Sequence, residues 1–129
     1  MTDYGTRVYD GILDMLSSAE NPTPLLRLRR VVPHTQAKVY AKLEWYNPFG
    51  SIKDRVAANM VRDASEKGLL HDGQQLVEPT SGNTGMGLAM VANARGYHLV
   101  TPLSKAIPAE KRVMLRVFGT EVEELDDDL

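Results

Sequence analysis

From residue 38 onward, short apolar runs alternate with longer amphipathic stretches, and turn residues separate them. No other feature limits the possible folds so strongly. Val39, Ala41, Leu43 and Trp45 alternate with Lys38, Tyr40, Lys42 and Glu44, the period of two that marks a strand. Asn47-Pro48-Phe49-Gly50 is a turn cluster. A helix is then expected over 51–68, with Ser51 and Asp54 in capping-box spacing, an apolar stripe of Ile52, Val56, Met60 and Ala64, and Gly68 as its stop. A short strand at Leu76 and Val77 follows, then a helix over 84–95 closed by Gly96, and a strand over 98–101. Pro108 opens a third helix with Val113, Leu115 and Phe118 apolar and Gly119 at its end, and residues 121–125 form a last strand. Strands alternating with helices of this length predict an α/β fold, a parallel sheet with flanking helices joined by right-handed crossovers.

The first ~20 residues suggest a short amphipathic helix with Val8, Ile12, Met15 and Leu16 near one face. Pro22 and Pro24 break it. Leu25-Leu26-Arg27-Leu28 reads as a strand, and 29–36 as a loop around Pro33. With 129 residues, one domain is expected. A net charge of -2 argues against nucleic acid as the main partner, because polyphosphate binders carry a basic excess. There is no Cys, which removes disulfides and thiolate catalysis. No run approaches the ~18 apolar residues of a membrane span, so no membrane is expected, and the cytoplasm is the expected location.

Two segments carry chemistry. Asn47-Pro48-Phe49-Gly50-Ser51-Ile52-Lys53-Asp54-Arg55 delivers a lysine into the first turn of a helix. A solvated surface lysine is the ordinary reading, since Lys is rarely buried. Against it, the helix macrodipole disfavours a cation at that end, and a neutral amine is the form that attacks an aldehyde. The second segment, Glu78-Pro79-Thr80-Ser81-Gly82-Asn83-Thr84-Gly85-Met86-Gly87, lies between a predicted strand and a predicted helix, the edge of a parallel sheet where ligands bind. Its helix-start amides and the hydroxyls of Thr80, Ser81 and Thr84 could hold an anion, while Gly82 and Gly85 permit backbone conformations closed to other residues. A well-capped helix after a polar turn is the alternative. The loop matches neither a P-loop nor G-x-G-x-x-G.

Together these segments resemble fold-type-II pyridoxal-phosphate enzymes. The first is similar to the cofactor-lysine motif of that group. Thr80-Ser81-Gly82-Asn83-Thr84-Gly85 looks like its substrate loop, with Asn83 placed 30 residues after Lys53. Thr23-Pro24-Leu25-Leu26-Arg27-Leu28 is similar to its Thr-Pro-Leu-Val-Arg-Leu segment. The resemblance covers roughly residues 20–125, and the Ser-Ile-Lys-Asp-Arg wording points to cysteine synthase and cystathionine β-synthase.

The resemblance implies the small domain of the tryptophan synthase β-like fold, a three-layer sandwich, over 38–129. It implies that 1–37 is an arm that packs on a large C-terminal domain. It implies pyridoxal 5'-phosphate held by Lys53 as a Schiff base, Lys53 as general base, and Asn83 bonded to the cofactor's ring oxygen. Thr80, Ser81, Gly82, Asn83 and Thr84 would bind the substrate carboxylate. The reaction implied is β-replacement on an activated serine such as O-acetylserine, with sulfide or a thiol, giving cysteine; a cystathionine β-synthase-like activity is the near alternative. The family's later phosphate-binding loop and its pyridine-nitrogen contact find no match after Thr84, so the chain is expected to lack the large domain. A catalytically silent interaction module therefore competes, as does an unrelated anion-binding α/β domain. A homodimer is implied for the full-length form. His34 and His71 read as solvated loop residues, His98 as structural, the six Met as core filler, and Glu121, Glu123, Glu124 and 126–128 as a solvated face. No metal site is expected.

Overall fold

A computed structural model of the chain describes residues 8–30 and 36–126. Five strands and three α-helices follow in the order β1 (Leu25–Leu28), β2 (Val39–Lys42), α1 (Lys53–Glu66), β3 (Gln75–Val77), α2 (Asn83–Arg95), β4 (His98–Ser104), α3 (Ala109–Val117) and β5 (Glu121–Leu125). The second half is the expected α/β unit. β3, β4 and β5 form a parallel sheet in that order, so two successive crossovers run in the same direction through α2 and α3.

β4 is the centre of this sheet. Leu99, Val100, Thr101, Leu103 and Ser104 are all buried, the continuous pattern of a strand covered on both faces. It runs three residues past its expected end, through Pro102. Proline is tolerated there because β3 stops pairing at Val77 opposite Val100, leaving that side of β4 without a ladder donor to supply. α2 is the core helix: Leu88, Ala89, Met90, Val91 and Ala92 are each at most 4% exposed. Gly96 ends it in the left-handed region at φ 74°, the usual glycine terminator.

Five expectations need correction. The strand over 39–45 ends at Lys42, and Glu44–Tyr46 turns as a 3₁₀ helix, which exposes Trp45. β2 pairs antiparallel with β1 in a separate two-stranded ladder. The stripe Ile52, Val56 and Met60 does not face the core: all three are exposed, and α1 instead buries Asp54, Ala57 and Val61 against α2. The small side chain of Ala57 allows the close packing that larger residues on that face would prevent. Only Met90 of the described methionines is fully buried; Met15, Met60 and Met114 are exposed. The N-terminal helix reduces to a 3₁₀ turn at Ile12–Met15, with Leu13 and Leu16 packed on the core and Val8 exposed. His34 and the last three residues lie outside the described residues. No described helix is long and apolar enough to cross a membrane.

Candidate functional site

Lys53 is the first residue of α1, and its side chain is exposed. The turn before it is heavily determined. The Gly50 amide donates to the Asn47 carbonyl at 2.8 Å, and Gly50 sits at φ 78°, a conformation that strains any other residue. The Phe49 ring packs on Phe118 at a centroid distance of 4.5 Å. The capping box expected of Ser51 and Asp54 is rearranged: Ser51 Oγ accepts from the Lys53 amide at 3.0 Å, while Asp54 Oδ2 accepts from the Phe49 amide at 2.7 Å. Asp54 is fully buried and its Oδ1 has no hydrogen-bond partner among the described residues. Burial pushes its carboxyl above the usual range, against the pull of the Phe49 and Ser51 amides.

At 100° per residue, Lys53, Asp54 and Arg55 leave the helix in three directions. Lys53 faces out, Asp54 points inward to the turn, and Arg55 reaches Glu44. Arg55 Nε donates to Glu44 Oε2 at 2.9 Å. Burial raises the Glu44 carboxyl, but donors from Arg55, Asn47 and Thr23 outweigh it, so the carboxyl lies below its ordinary 4.5.

The second segment is built differently. Thr80 leads into it, and Asn83 is the first residue of α2. Thr80 Oγ1 accepts from the Gly85 amide at 3.1 Å, and the Met86 amide reaches the Gly82 carbonyl at 3.2 Å. The Asn83 and Thr84 amides have no partner among the described residues. Two donors therefore stand open at the positive end of a 13-residue helix. Neither Gly82 nor Gly85 uses a glycine-only conformation: Gly82 is extended at φ -126°, and Gly85 is helical. Gly85 is needed for closeness, because a Cβ there would sit 2.8 Å from Thr80 Cγ2 and 3.0 Å from Leu115 Cδ2.

Gly87, whose role the sequence left unassigned, brings the two segments together. A Cβ on it would meet the Lys53 carbonyl oxygen at 3.0 Å, the Ala57 Cβ at 3.1 Å and the Asp54 Cα at 3.3 Å. The first turn of α1 thus lies directly on the first turns of α2. A glycine inside a helix costs about 1 kcal/mol against Ala, and that cost was the available signal of a close approach. Ser81, Gly82 and Asn83 also line a cleft of about 220 Å³ whose far wall is Glu110, Lys111, Met114 and Leu115 of α3. Lys53 is not among its walls.

His98 lies 3.2 Å from Glu121 and 3.2 Å from Gln75 across the sheet. Glu124 is not a free surface acid. It accepts from Arg116 at 2.7 Å and Arg112 at 3.1 Å, and the Arg116 hydrogen bond first, with both guanidinium charges, holds its carboxyl below the usual range.

A family model described as "Pyridoxal-phosphate dependent enzyme" matches residues 16–129. The chain is 49% identical over 100 residues to a probable cysteine synthase of Bacillus subtilis, covering 78% of this chain and 32% of that protein. It is 46% identical over 113 residues to an O-ureido-L-serine synthase of Streptomyces lavendulae, covering 87% of this chain and 33% of that protein. The crystal structure of a hydrogen sulfide-producing enzyme from Fusobacterium nucleatum superposes with a TM-score of 0.83 at 32% identity, over 93% of this chain and 38% of the other. The chain spans about a third of the length of these relatives.

Proposed function

This chain belongs to the pyridoxal-phosphate-dependent enzyme family, and from that premise we propose that it carries the lysine and the substrate loop of a cysteine synthase-type β-replacement. The observation that carries the reading is the contact through Gly87, which sets the start of α1, with its exposed lysine, on the start of α2, with its open amides. The cofactor, when bound, supplies the electron sink for chemistry at the substrate's α-carbon.

The chain's own residues have distinct tasks. Lys53 Nζ would hold the cofactor and, when its amine is free, would take the α-proton as general base. The Asn83 and Thr84 amides, with the Ser81 and Thr84 hydroxyls, bind the substrate carboxylate at the positive end of α2. Thr80 joins them in a defined pose: its oxygen already accepts from Gly85, so its proton is left to donate to the same carboxylate. The Asn83 side chain, exposed at the head of the helix, would hold the cofactor ring. The α3 wall of the cleft stands opposite the carboxylate donors. The substrate is an activated serine such as an O-acyl ester: loss of its α-proton to Lys53 expels the carboxylate as the Cβ–O bond breaks, and sulfide or a thiol then adds to form the Cβ–S bond while a proton returns to the α-carbon. The names of the matched relatives, a cysteine synthase and an O-ureido-L-serine synthase, support replacement at a serine β-carbon.

The test is a visible spectrum. Pyridoxal phosphate added to the protein as the cell makes it should give an imine absorbance that Lys53→Ala abolishes. An identical spectrum in the variant overturns the assignment.

A second reading has its own observation. Trp45, Tyr46, Ile52, Val56, Met60, Val113 and Val117 are all exposed, more apolar surface than a self-contained unit needs. A catalytically silent interaction module would use such residues and retain no cofactor. Monomeric sedimentation at high concentration would exclude it.

A further inference from the structure

We propose that Thr23, Glu44 and Arg55 form a positioning clasp that sets the rotation of α1, and with it the direction of Lys53. The inference rests on the reading of Lys53 given above and extends it to residues that act through the turn. It also gives a task to the Thr-Pro-Leu segment, which the proposed chemistry leaves without one.

One carboxylate collects the donors. Arg55 approaches Glu44 as a fork, Nε to Oε2 at 2.9 Å and Nη2 to Oε1 at 3.1 Å. Arg55 Nη2 also donates to Thr23 Oγ1 at 3.0 Å, and Thr23 Oγ1 donates to Glu44 Oε1 at 3.0 Å. Asn47 Nδ2 donates to Glu44 Oε2 at 2.8 Å and to the Glu44 carbonyl at 2.7 Å, while Ser17 Oγ donates to Asn47 Oδ1 at 2.8 Å. Lys42 Nζ holds the Thr23 carbonyl. Thr23 and Asn47 are 5% and 4% exposed, so the centre of the network is shielded from water.

Magnitude decides what such a network is for. An ion pair with side chains 35% and 21% exposed adds little to stability. Its geometric content is larger, because a bidentate fork fixes direction as well as distance. Arg55 follows Lys53 by two residues, about 200° around the helix. Any roll of α1 that keeps Asp54 near Phe49 but turns Lys53 must break the fork. The clasp therefore registers the helix against the segment that precedes β1, and Lys53 inherits that register.

Two measurements on the polypeptide as the cell makes it decide the matter. In hydrogen exchange without cofactor, Glu44→Gln and Thr23→Val should speed the Phe49, Gly50 and Asp54 amides about tenfold while leaving the α2 core amides, Leu88 to Ala92, unchanged. Thr23→Ser, which keeps the hydroxyl, should restore the parent rates. Unchanged turn amides, or acceleration of turn and α2 core alike, would overturn the clasp. With pyridoxal phosphate bound, the ratio of visible ellipticity to absorbance should drop about twofold in Glu44→Gln, because a lysine no longer held in one pose carries its chromophore in several. Global destabilisation alone lowers both signals together and leaves the ratio intact, so an unchanged ratio would also refute the positioning role. A parent protein with no Lys53-dependent absorbance would sink the cofactor reading instead, and the exchange result would still decide the clasp.

Discussion

The two halves of the candidate site are made on opposite principles. The turn before α1 has almost every polar group committed: the Phe49 amide to Asp54, the Gly50 amide to Asn47, the Lys53 amide to Ser51, and Arg55 to Glu44 and Thr23. The loop before α2 commits little, one amide to Thr80 and one to Gly82, and leaves those of Asn83 and Thr84 open. A group that must attack and take a proton gains from a fixed direction. Donors that must receive a carboxylate have to be unspent before it arrives. Saturation on one side and vacancy on the other therefore suit the two tasks proposed for them.

The contrast breaks most severely at the glycines that join the halves. Gly85→Ala would press a methyl into Thr80 and Leu115, and Gly87→Ala would press one into the backbone of Lys53 and Asp54. Overpacking of this kind costs about 1–3 kcal/mol, against the ~1 kcal/mol that alanine returns in helix propensity. Thermal unfolding should show net loss in both. The two should then separate by chemistry: Gly87→Ala moves the lysine turn and should weaken the Lys53-dependent absorbance more than Gly85→Ala does. Equal effects on cofactor, or none, would mean that the halves do not meet as described.

The next effect sharpens the open side. Thr80→Val keeps the shape of the side chain but removes the acceptor of the Gly85 amide, a loss of about 1 kcal/mol in the range of a helix cap. It should also weaken binding of a small carboxylate, measured by titration, because the oriented hydroxyl proton goes with it. Thr80→Ser should restore both. If Thr80→Val cost stability but left carboxylate binding intact, Thr80 would be a cap alone.

Much of this was legible in the sequence, and the exceptions share a cause. The parallel unit was readable because β4, α2 and the glycines at 68, 96 and 119 are governed by local rules of burial and termination. The candidate lysine and loop were readable as motifs. The stripe Ile52, Val56 and Met60 misled because periodicity shows that a face is apolar, not what covers it; α1 buries a narrower row that includes the carboxylate of Asp54. The clasp was invisible for a related reason. Thr23, Glu44 and Arg55 are separated by 21 and 11 residues, and although Thr23 and Arg55 lie in motifs, nothing in the sequence joins them to Glu44. Glu44 belongs to the alternation that predicts a strand, and that strand ends two residues before it. Only a tertiary contact distinguishes such groups, and one sequence carries no record of it. Gly87 lay within a motif already singled out, yet the cost of a glycine in a helix was not weighed there.

The smallest effect tests the saturated side by pH, because its two carboxylates titrate in opposite senses. Glu44 lies below its ordinary 4.5 once burial is outweighed by its donors. Its contribution is therefore present above 4.5 and lost as pH falls through the lower folded value, so the deficit of Glu44→Gln relative to the parent should shrink on acidification. Asp54 lies above its ordinary 3.8 because it is buried. The folded state then holds its proton longer than the unfolded chain does, and the parent loses stability as pH rises from 3.8 through the folded value. Relative to the parent, Asp54→Asn should therefore improve with rising pH over that window and level off above it. Melting temperatures of the parent and both variants between about pH 3 and 7 give two difference curves, and the slopes should have opposite signs. The Glu44 curve is the shallower expectation in absolute terms, under about 1 kcal/mol, since the pair is partly exposed. Two curves of the same sign would mean that Asp54 is paired in solution, and the turn before Lys53 would then lack the buried, half-satisfied carboxylate on which its shape depends.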